Sequence, residues 1–350
     1  MKDPRVTGRL GGIQVLRVFA AALVVAQHGY FYAATARGYG IEQMMPFFSL
    51  QLGIIGVFVF FVISGYVIGL QADTQPSRFI LHRVLRIYPA YIAALALGGL
   101  LILGSGALPL AGLHPSWSLL LLPAGRLVSW FVVPYWTLMF EVYFYAVAFV
   151  LMLGGRHLYD AGLMLWAVLV MAASLALHRS LAPVPDPLQL ATSPLALPFI
   201  AGASLARFHQ GRKLPLLTTL CLCFAAWIAF PSRFDLIFLI ETLILVLLAV
   251  HLSVLAGRIG DWRPAALLSR LGDFSYGLYL IHAPLIVAFA AIVPLGPGPV
   301  WLSALGLGFA ASLGGLAFGY GEYVAYRRVL RPWADRITRP RPGSLAASEA

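Results

Sequence analysis

The stretch LRVFAAALVVAQHGY, from Leu16 to Tyr30, has the composition of a membrane-spanning helix, but it contains Arg17 and His28. An arginine at the centre of an inserted helix costs about 2.5 to 3.5 kcal/mol. At 100° and 1.5 Å per residue, the spacing places both side chains on one helix face, about 16 Å apart. A snorkelling arginine and a histidine that packs between helices are the simple interpretations. The alternative is a functional site inside the membrane that contains both residues.

The composition predicts a polytopic membrane protein, because 61% of the 350 residues are hydrophobic and only 11% are charged. Such a chain cannot cover a soluble surface. Apolar runs recur along it, each long enough to cross a hydrocarbon core of about 30 Å. They predict an all-α fold of about ten transmembrane helices. The approximate limits of these helices are 12–32, 48–71, 88–106, 134–153, 160–178, 190–208, 214–230, 234–256, 273–293 and 298–320.

The distribution of basic residues predicts the orientation of the chain. If the N-terminus is cytoplasmic, only Arg37, Arg126, Arg179 and Arg233 among the 24 Lys and Arg residues lie in outer loops. Cytoplasmic loops of membrane proteins are enriched in Lys and Arg, so we predict that both termini are cytoplasmic. The net charge of +11 is then a result of topology and does not indicate a nucleic-acid partner. We expect a multi-pass protein of the cytoplasmic (inner) membrane.

The chain shows no linker that would divide it, so residues 1–326 are predicted to form one integral membrane domain. Residues 327–350 are first basic and then polar and small, which predicts a disordered cytoplasmic tail. The connection at 107–133 is apolar but interrupted by prolines. A re-entrant or interfacial lid is plausible there, because non-helical backbone at membrane depth needs protein or water around it.

A polar stripe follows the segment PYWTLMFEVYFY, where Thr137, Glu141 and Tyr145 recur every fourth residue. In the predicted orientation, Glu141 lies about 10 Å below the outer surface, at a depth similar to that of His28. A buried carboxylate can orient an imidazole and raise its basicity, as a general base for a hydroxyl requires. A structural carboxylate paired with an arginine remains the alternative.

Basic residues cluster in PSRFILHRVLRIYPAY, which places Arg78, His82, Arg83 and Arg86 at the cytoplasmic surface. A cluster of this kind can simply fix the topology. However, Arg83 and Arg86 are three residues apart and can share a helix face, where their forked donors suit a phosphate.

Two further helices carry polar side chains near the middle of the membrane. Ser64 and Tyr66 offer hydroxyl groups within GVFVFFVISGYVI, although packing alone would explain them. In SYGLYLIHAP, Ser275, Tyr279 and His282 share one side of the helix. An ionisable residue near the bilayer centre, here His282, is a functional candidate.

Five segments in this order resemble the membrane acyltransferase family 3, which includes O-antigen, exopolysaccharide and peptidoglycan O-acetyltransferases. The segments are Arg17-x10-His28, GVFVFFVISGYVI, RVLRIYPAY, YWTLMFE and SYGLYLIHAP. They cover roughly residues 12 to 325. The resemblance implies O-acyl transfer from a cytoplasmic acyl-CoA, usually acetyl-CoA, to a hydroxyl of a glycan or a lipid-linked sugar.

On the donor side, the resemblance implies that Arg83 and Arg86 lie beside the entrance for acyl-CoA. Arg17 would be the partner of the essential histidine in the R-x10-H motif. We assign Ser64 and Tyr66 to the donor path. No metal is expected. Cys221 and Cys223 are two residues apart on one helix, which places their side chains about 200° apart, so neither a disulfide nor a metal pair is plausible between them.

On the acceptor side, the resemblance implies that His28 is the essential histidine and that Glu141 and Trp136 form the W…E motif. We assign Tyr279 and His282 to the same side as substrate-binding residues. His28 is then either a general base on the acceptor hydroxyl or a nucleophile that carries the acyl group. Arg17 and His28 would then face a polar tunnel instead of lipid.

The resemblance to the family also suggests which partner proteins to expect. Larger members of the family carry a C-terminal soluble esterase-like domain, and we expect no such domain in this protein. We therefore expect that the protein completes the transfer alone or passes the acyl group to a separate periplasmic or extracellular transferase. A proton-coupled transporter or exporter of small molecules is the alternative function, since buried Arg, His and Glu also suit a carrier. A non-catalytic scaffold that kept the fold is a second alternative.

Overall fold

The computed structural model describes residues 11–107, 120–123, 133–179, 186–256, 263–296 and 298–338. In these ranges the regular elements are thirteen α-helices and one π-helical turn. The helices are α1 Gly11–Ala36, α2 Ile41–Phe48, α3 Leu52–Gly69, α4 Pro76–Ser105, α5 Tyr135–Leu153, α6 Gly155–Ala176, α7 Pro187–Thr192, α8 Ala196–His209, α9 Leu214–Ala229, α10 Phe234–Ala256, α11 Arg263–Ile292, α12 Val300–Ala325 and α13 Arg331–Ile337, with the π-helical turn Tyr326–Leu330 between the last two.

The predicted all-α membrane fold is confirmed. Within the described ranges, eight helices are long and apolar enough to cross a membrane, namely α1, α3, α4, α5, α6, α10, α11 and the helical segment that begins with α12. The remaining two predicted spans are shorter in the structure, because α8 has 14 residues and α9 has 16. The number ten and the cytoplasmic location of the termini therefore stay predictions. Most of the predicted lid at 107–133 lies outside the described residues.

The predicted span 190–208 is two helices in the structure. The short helix α7 starts with Pro187 and is capped by Asp186, whose carboxylate accepts a bond of 2.7 Å from the Gln189 N–H. Its end at Ser193 is extended, because the following Pro194 disfavours helical backbone in the residue before it. The chain then turns into α8, whose residues from Ala196 to Arg207 are all buried.

Helix α8 is buried because glycines let it touch α3 backbone to backbone. A Cβ built on Gly202 would lie 2.0 Å from the Val62 carbonyl oxygen, and one on Gly65 would lie 2.0 Å from that of Phe199. Small residues at helix crossings permit this approach inside membranes, where dispersion forces replace the hydrophobic effect. The crossing fixes the position of α3, which carries Ser64.

A second close contact joins α1, α11 and α12. A Cβ on Gly272 of α11 would lie 2.2 Å from the Gln14 carbonyl oxygen of α1, and one on Gly277 would lie 2.3 Å from the Gly319 Cα of α12. At the other end of α1, Arg37 donates to the Gly296 carbonyl at 2.6 Å. These contacts set the register of the helices that carry Arg17, His28 and His282.

The C-terminal end differs from the predicted boundary at residue 327. The chain stays helical through the π-helical turn and α13, and α13 packs back onto the beginning of α4. Arg78 of α4 donates to the Asp335 carboxylate of α13 at 2.6 Å. Residues 339–350 of the predicted tail lie outside the described residues.

Candidate active site

A chamber lies between the helices, and several of the predicted site residues line it. Arg17 from α1, Ser64 from α3 and Glu141 from α5 all face it. Arg17 is therefore directed into a polar interior instead of lipid. Aromatic side chains, among them Tyr276 and Tyr279 of α11, form much of the remaining wall.

Glu141 is held in the chamber by hydroxyl groups. It accepts a hydrogen bond from Ser64 Oγ at 3.4 Å and another from the Tyr145 hydroxyl one turn further along α5. Arg17 lies within electrostatic reach of the same carboxylate. Tyr145 of the polar stripe therefore bonds to Glu141, whereas Thr137 bonds to Tyr279, and the negative charge of Glu141 acts on Arg17 together with the positive charge of Arg86.

Arg83 and Arg86 line both this chamber and a second cavity, which we name the vestibule. Arg83 donates to Gln71 Oε1 at 3.1 Å, and its guanidinium lies 5.2 Å from the centre of the Tyr145 ring. Arg86 forms an ion pair with Glu322 of α12. The two arginines therefore stand between two adjacent cavities.

The vestibule is bordered by further basic groups. Arg78, His82 and Arg331 line it together with the two junction arginines. One carboxylate, that of Asp335 on α13, also lines it and contacts Arg78 at 2.6 Å and His82 Nε2 at 3.2 Å. This arrangement is suited to an anion with several phosphate oxygens, because guanidinium groups bind such oxygens in pairs.

His28 pairs with His282 and not with a carboxylate. Its Nδ1 lies 3.3 Å from His282 Nε2 and 2.9 Å from the Val24 carbonyl oxygen. The two rings meet edge to face with centroids 5.0 Å apart. His282 is completely buried, and its Nδ1 lies 2.7 Å from the Tyr279 carbonyl oxygen. The residues that bond to Glu141 lie on α3 and α5, whereas the imidazole that contacts His28 lies on α11.

Tyr279 is the link between the chamber and the histidine pair. Its ring faces the chamber and lies 5.8 Å from the His282 ring. Its hydroxyl shares a hydrogen bond of 2.5 Å with Thr137 Oγ1 of α5. His28 and His282 are not among the residues that line the chamber, so the hydrogen-bonded pair of Tyr279 and Thr137 lies between the chamber and the two imidazoles.

Two predicted site residues lie elsewhere. Tyr66 is buried and its hydroxyl lies 2.9 Å from His209 Nδ1, on the α8 side of α3, away from the chamber lining. Trp136 is partly buried and packs edge to face on the Phe140 ring, 6.3 Å between centroids. The sequence of one apolar helix does not show which side of the helix faces the site. It therefore could not show that Ser64 lines the chamber and that Tyr66 does not.

Among the residues not predicted are Tyr276 and Asp335, which line the cavities, and Glu322, which forms the ion pair with Arg86. Tyr276 is adjacent to the predicted Ser275, whose hydroxyl is buried and bonded to the Gly272 carbonyl at 2.8 Å. A carboxylate near the end of an apolar helix was the available signal for Glu322, since such residues are rarely placed at membrane depth without a partner. Asp335 falls in the segment predicted to be disordered.

No group of three His, Cys, Asp or Glu residues in the described part of the chain could hold a metal ion. The side chains present offer a basic vestibule, a chamber lined by three guanidinium groups and one carboxylate, and an imidazole pair. Together they can hold a phosphorylated ligand and move a proton to or from a hydroxyl group.

Comparison with known proteins identifies the family. An acyltransferase domain matches residues 10–319. The Exopolysaccharide production protein ExoZ of Rhizobium meliloti (strain 1021) is 32% identical over 326 residues, which cover 84% of this chain and 95% of that protein. Nodulation protein 10 of Rhizobium leguminosarum bv. viciae is 26% identical over 331 residues, covering 85% and 88%. No solved structure matches the chain. The chain therefore belongs to the membrane acyltransferase family 3, the family that its sequence motifs resemble.

Proposed function

We propose that this protein transfers an acyl group, most simply acetyl, from cytoplasmic acyl-CoA to a hydroxyl of a glycan or lipid-linked sugar on the other side of the cytoplasmic membrane. The observation that carries the proposal is the pair of adjacent cavities that share Arg83 and Arg86 in their walls. Acyl-CoA holds its acyl group at the end of a long phosphorylated arm. Such a donor needs an outer anion site for its phosphates and an inner polar chamber for its acyl group.

The vestibule would bind the phosphates of the donor. Its four arginines supply forked donors that match phosphate oxygens. The arm of the donor would then pass between Arg83 and Arg86 and bring the thioester into the chamber. In this arrangement the vestibule is at the cytoplasmic end, in agreement with the predicted orientation of the termini.

The acceptor hydroxyl would approach from the opposite end, where α1 ends and His28 lies. His28 takes the proton of the hydroxyl, the oxygen attacks the thioester carbonyl carbon, and the carbon–sulfur bond breaks. The sulfur of CoA leaves with a proton, so that ester and thiol are the products. Glu141 and Arg17 set the electrostatic field around the thioester, since both face the chamber.

The name of one relative supports a glycan acceptor. ExoZ is named for exopolysaccharide production, and it covers most of this chain. Nodulation protein 10 is similar over nearly the same length. We infer that the acceptor here is a sugar hydroxyl. The transfer to it is completed either by this protein alone or by a separate transferase outside the membrane.

The test is transfer of radiolabelled acetyl from acetyl-CoA added to the cytoplasmic face of inverted vesicles, with native protein and His28→Ala at equal abundance. We expect label in a glycan or lipid-linked product with native protein, and a loss of about 100-fold or more in His28→Ala. His251→Ala is the matched control, because it removes an imidazole that contacts His209 and leaves the chamber intact.

Equal transfer by native protein and His28→Ala would remove His28 from the chemistry. If native vesicles bind acetyl-CoA but acylate nothing, the acceptor class is wrong. If they accumulate an unmodified small molecule instead, the protein is a transporter and the proposal fails.

A further inference from the structure

The hydrogen bonds of the histidine pair fix which nitrogen of each ring carries a proton. A carbonyl oxygen can only accept, so a ring nitrogen that bonds to it must donate. The Nδ1 of His282 lies 2.7 Å from the Tyr279 carbonyl oxygen and therefore carries its proton. In the neutral ring the other nitrogen, Nε2, then has a lone pair and accepts.

The same argument applies to His28. Its Nδ1 lies 2.9 Å from the Val24 carbonyl oxygen and 3.3 Å from the accepting Nε2 of His282. A lone pair on His28 Nδ1 would face two acceptors, which is repulsive. A proton there satisfies both. Neutral His28 therefore holds its proton on Nδ1 and its lone pair on Nε2.

We propose that His282 is a positioning residue that holds His28 in the tautomer whose Nε2 lone pair takes the proton from the acceptor hydroxyl. The catalytic part of this inference rests on the proposed acyl transfer, whereas the tautomer itself does not. His282 acts through His28 and needs no contact with the acceptor.

The location of His282 suits this task. Its side chain is completely buried on α11, which is fixed against α1 and α12 by the close contacts at Gly272 and Gly277. The bond to the Tyr279 carbonyl fixes its own tautomer in turn. A rigid acceptor of this kind determines ring orientation and tautomer together, in the same way that partners of metal-binding histidines do.

Each proton that moves in this step has a named donor and a named acceptor. The hydroxyl proton moves to His28 Nε2, which gives an imidazolium with a proton on each nitrogen. Its Nδ1–H stays bonded to the Val24 carbonyl and to His282 Nε2, and these acceptors stabilise the positive charge. The Nε2 proton passes to the departing sulfur as the carbon–sulfur bond breaks, which returns His28 to its starting tautomer.

The first experiment reads the tautomer directly and needs no activity. Native protein labelled with 13C and 15N histidine is measured by solid-state NMR in bilayers, at a pH where imidazoles are neutral. The signal of His28 is assigned by its loss in His28→Asn. We expect the Nδ1-protonated form in native protein and a substantial Nε2-protonated population in His282→Leu. An Nε2-protonated His28 in native protein, or an unchanged tautomer in His282→Leu, would overturn the proposal.

The second experiment compares His282→Leu with His282→Gln in acyl transfer. Leucine cannot accept a hydrogen bond, whereas the amide oxygen of glutamine can replace the Nε2 acceptor. We expect His282→Leu to lower kcat by about 10- to 100-fold with a smaller change in KM for the acceptor, and His282→Gln to recover at least about tenfold of that loss. His251→Leu on α10 is the control for removal of an imidazole, because His251 is partly buried and contacts His209 instead of His28.

The two experiments separate the failures. A native protein with Nδ1-protonated His28 but no acyl transfer contradicts the proposed function and leaves the tautomer assignment intact. Equal activity of His282→Leu and native protein, or equal losses in the Leu and Gln variants, contradicts the positioning role while acyl transfer stands.

Discussion

At the scale of single residues, the most deeply buried charge in the described chain is that of Arg207. Its side chain is fully buried, and it donates to both Asp160 oxygens, at 2.6 and 3.1 Å, and to Gln210 Oε1 at 2.5 Å. We predict that Arg207→Met lowers the free energy of unfolding by about 3 to 5 kcal/mol, because the carboxylate of Asp160 loses its main partner in the interior. Tryptophan fluorescence during denaturant titration in micelles measures the effect.

Arg212 supplies a control on the same carboxylate. Its Nε lies 3.4 Å from Asp160 Oδ2, but its side chain is one third exposed, so Arg212→Met should cost about 1 kcal/mol or less. Similar losses in both variants would mean that Asp160, and not the buried geometry of Arg207, determines stability.

The sequence identified residues of unusual chemistry but not their partners. Arg17 and Glu141 were predicted from their presence in apolar helices, and both line the chamber. The pairing of His28 with His282 could not be predicted, because it depends on how α1 and α11 slide past each other. Nothing in either helix alone specifies that register, since it results from the close approach of Gly272 to Gln14.

At the scale of elements, the crossing of α3 and α8 depends on two glycines. We predict that Gly202→Ala destabilises the protein by about 1 to 3 kcal/mol, because the added methyl group would lie 2.0 Å from the Val62 carbonyl oxygen and must force the helices apart. Acyl transfer should fall as well, since α3 carries Ser64 into the chamber. Thermal unfolding and transfer activity of the purified variant measure both effects.

Gly306→Ala is the matched control on α12, where no neighbouring atom lies within 4 Å of the new Cβ. There alanine should be neutral or stabilising by about 0.5 to 1 kcal/mol, as in any exposed helix interior. A Gly202→Ala protein that melts like this control would show that α3 and α8 can separate freely.

Hydropathy located the long helices well and the short ones poorly. The apolar segments that became α3 and α10 are continuous and lack proline, so length alone identified them. The segment 190–208 looked like one span because its residues are apolar on both sides of Pro194. Apolar composition reports burial, and α8 is buried in protein, which composition cannot distinguish from burial in lipid.

At the scale of the whole molecule, the site is a meeting point of distant segments. Helices α1, α3, α4, α5 and α11 line the chamber, and the C-terminal α13 borders the adjacent vestibule. The resemblance to a family could suggest that arginines lie near a donor. Only the packing of the bundle places Arg83 and Arg86 in both cavities at once.

The vestibule yields a prediction about donor binding, because its one carboxylate occupies part of its basic surface. Asp335 of α13 contacts Arg78 and His82, where donor phosphates would bind in the proposed function. Asp335→Asn should therefore lower the KM for acetyl-CoA, since it removes a competing anion and a like-charge repulsion. Arg83→Gln should raise that KM by about tenfold, the effect of one lost charge-assisted hydrogen bond. Initial rates against acetyl-CoA concentration measure both changes.

Arg328→Gln provides the control, because Arg328 is exposed on the π-helical turn and is absent from the vestibule lining. It removes the same charge without removing a phosphate contact, so its KM should stay near that of the native protein. Raising the salt concentration should weaken donor binding in native protein more than in Arg83→Gln, because screening acts on the charge that the variant has already lost. If Asp335→Asn raised the KM instead, α13 would be needed to shape the vestibule, and its carboxylate would act as a structural anchor for Arg78 and not as a competitor of the donor.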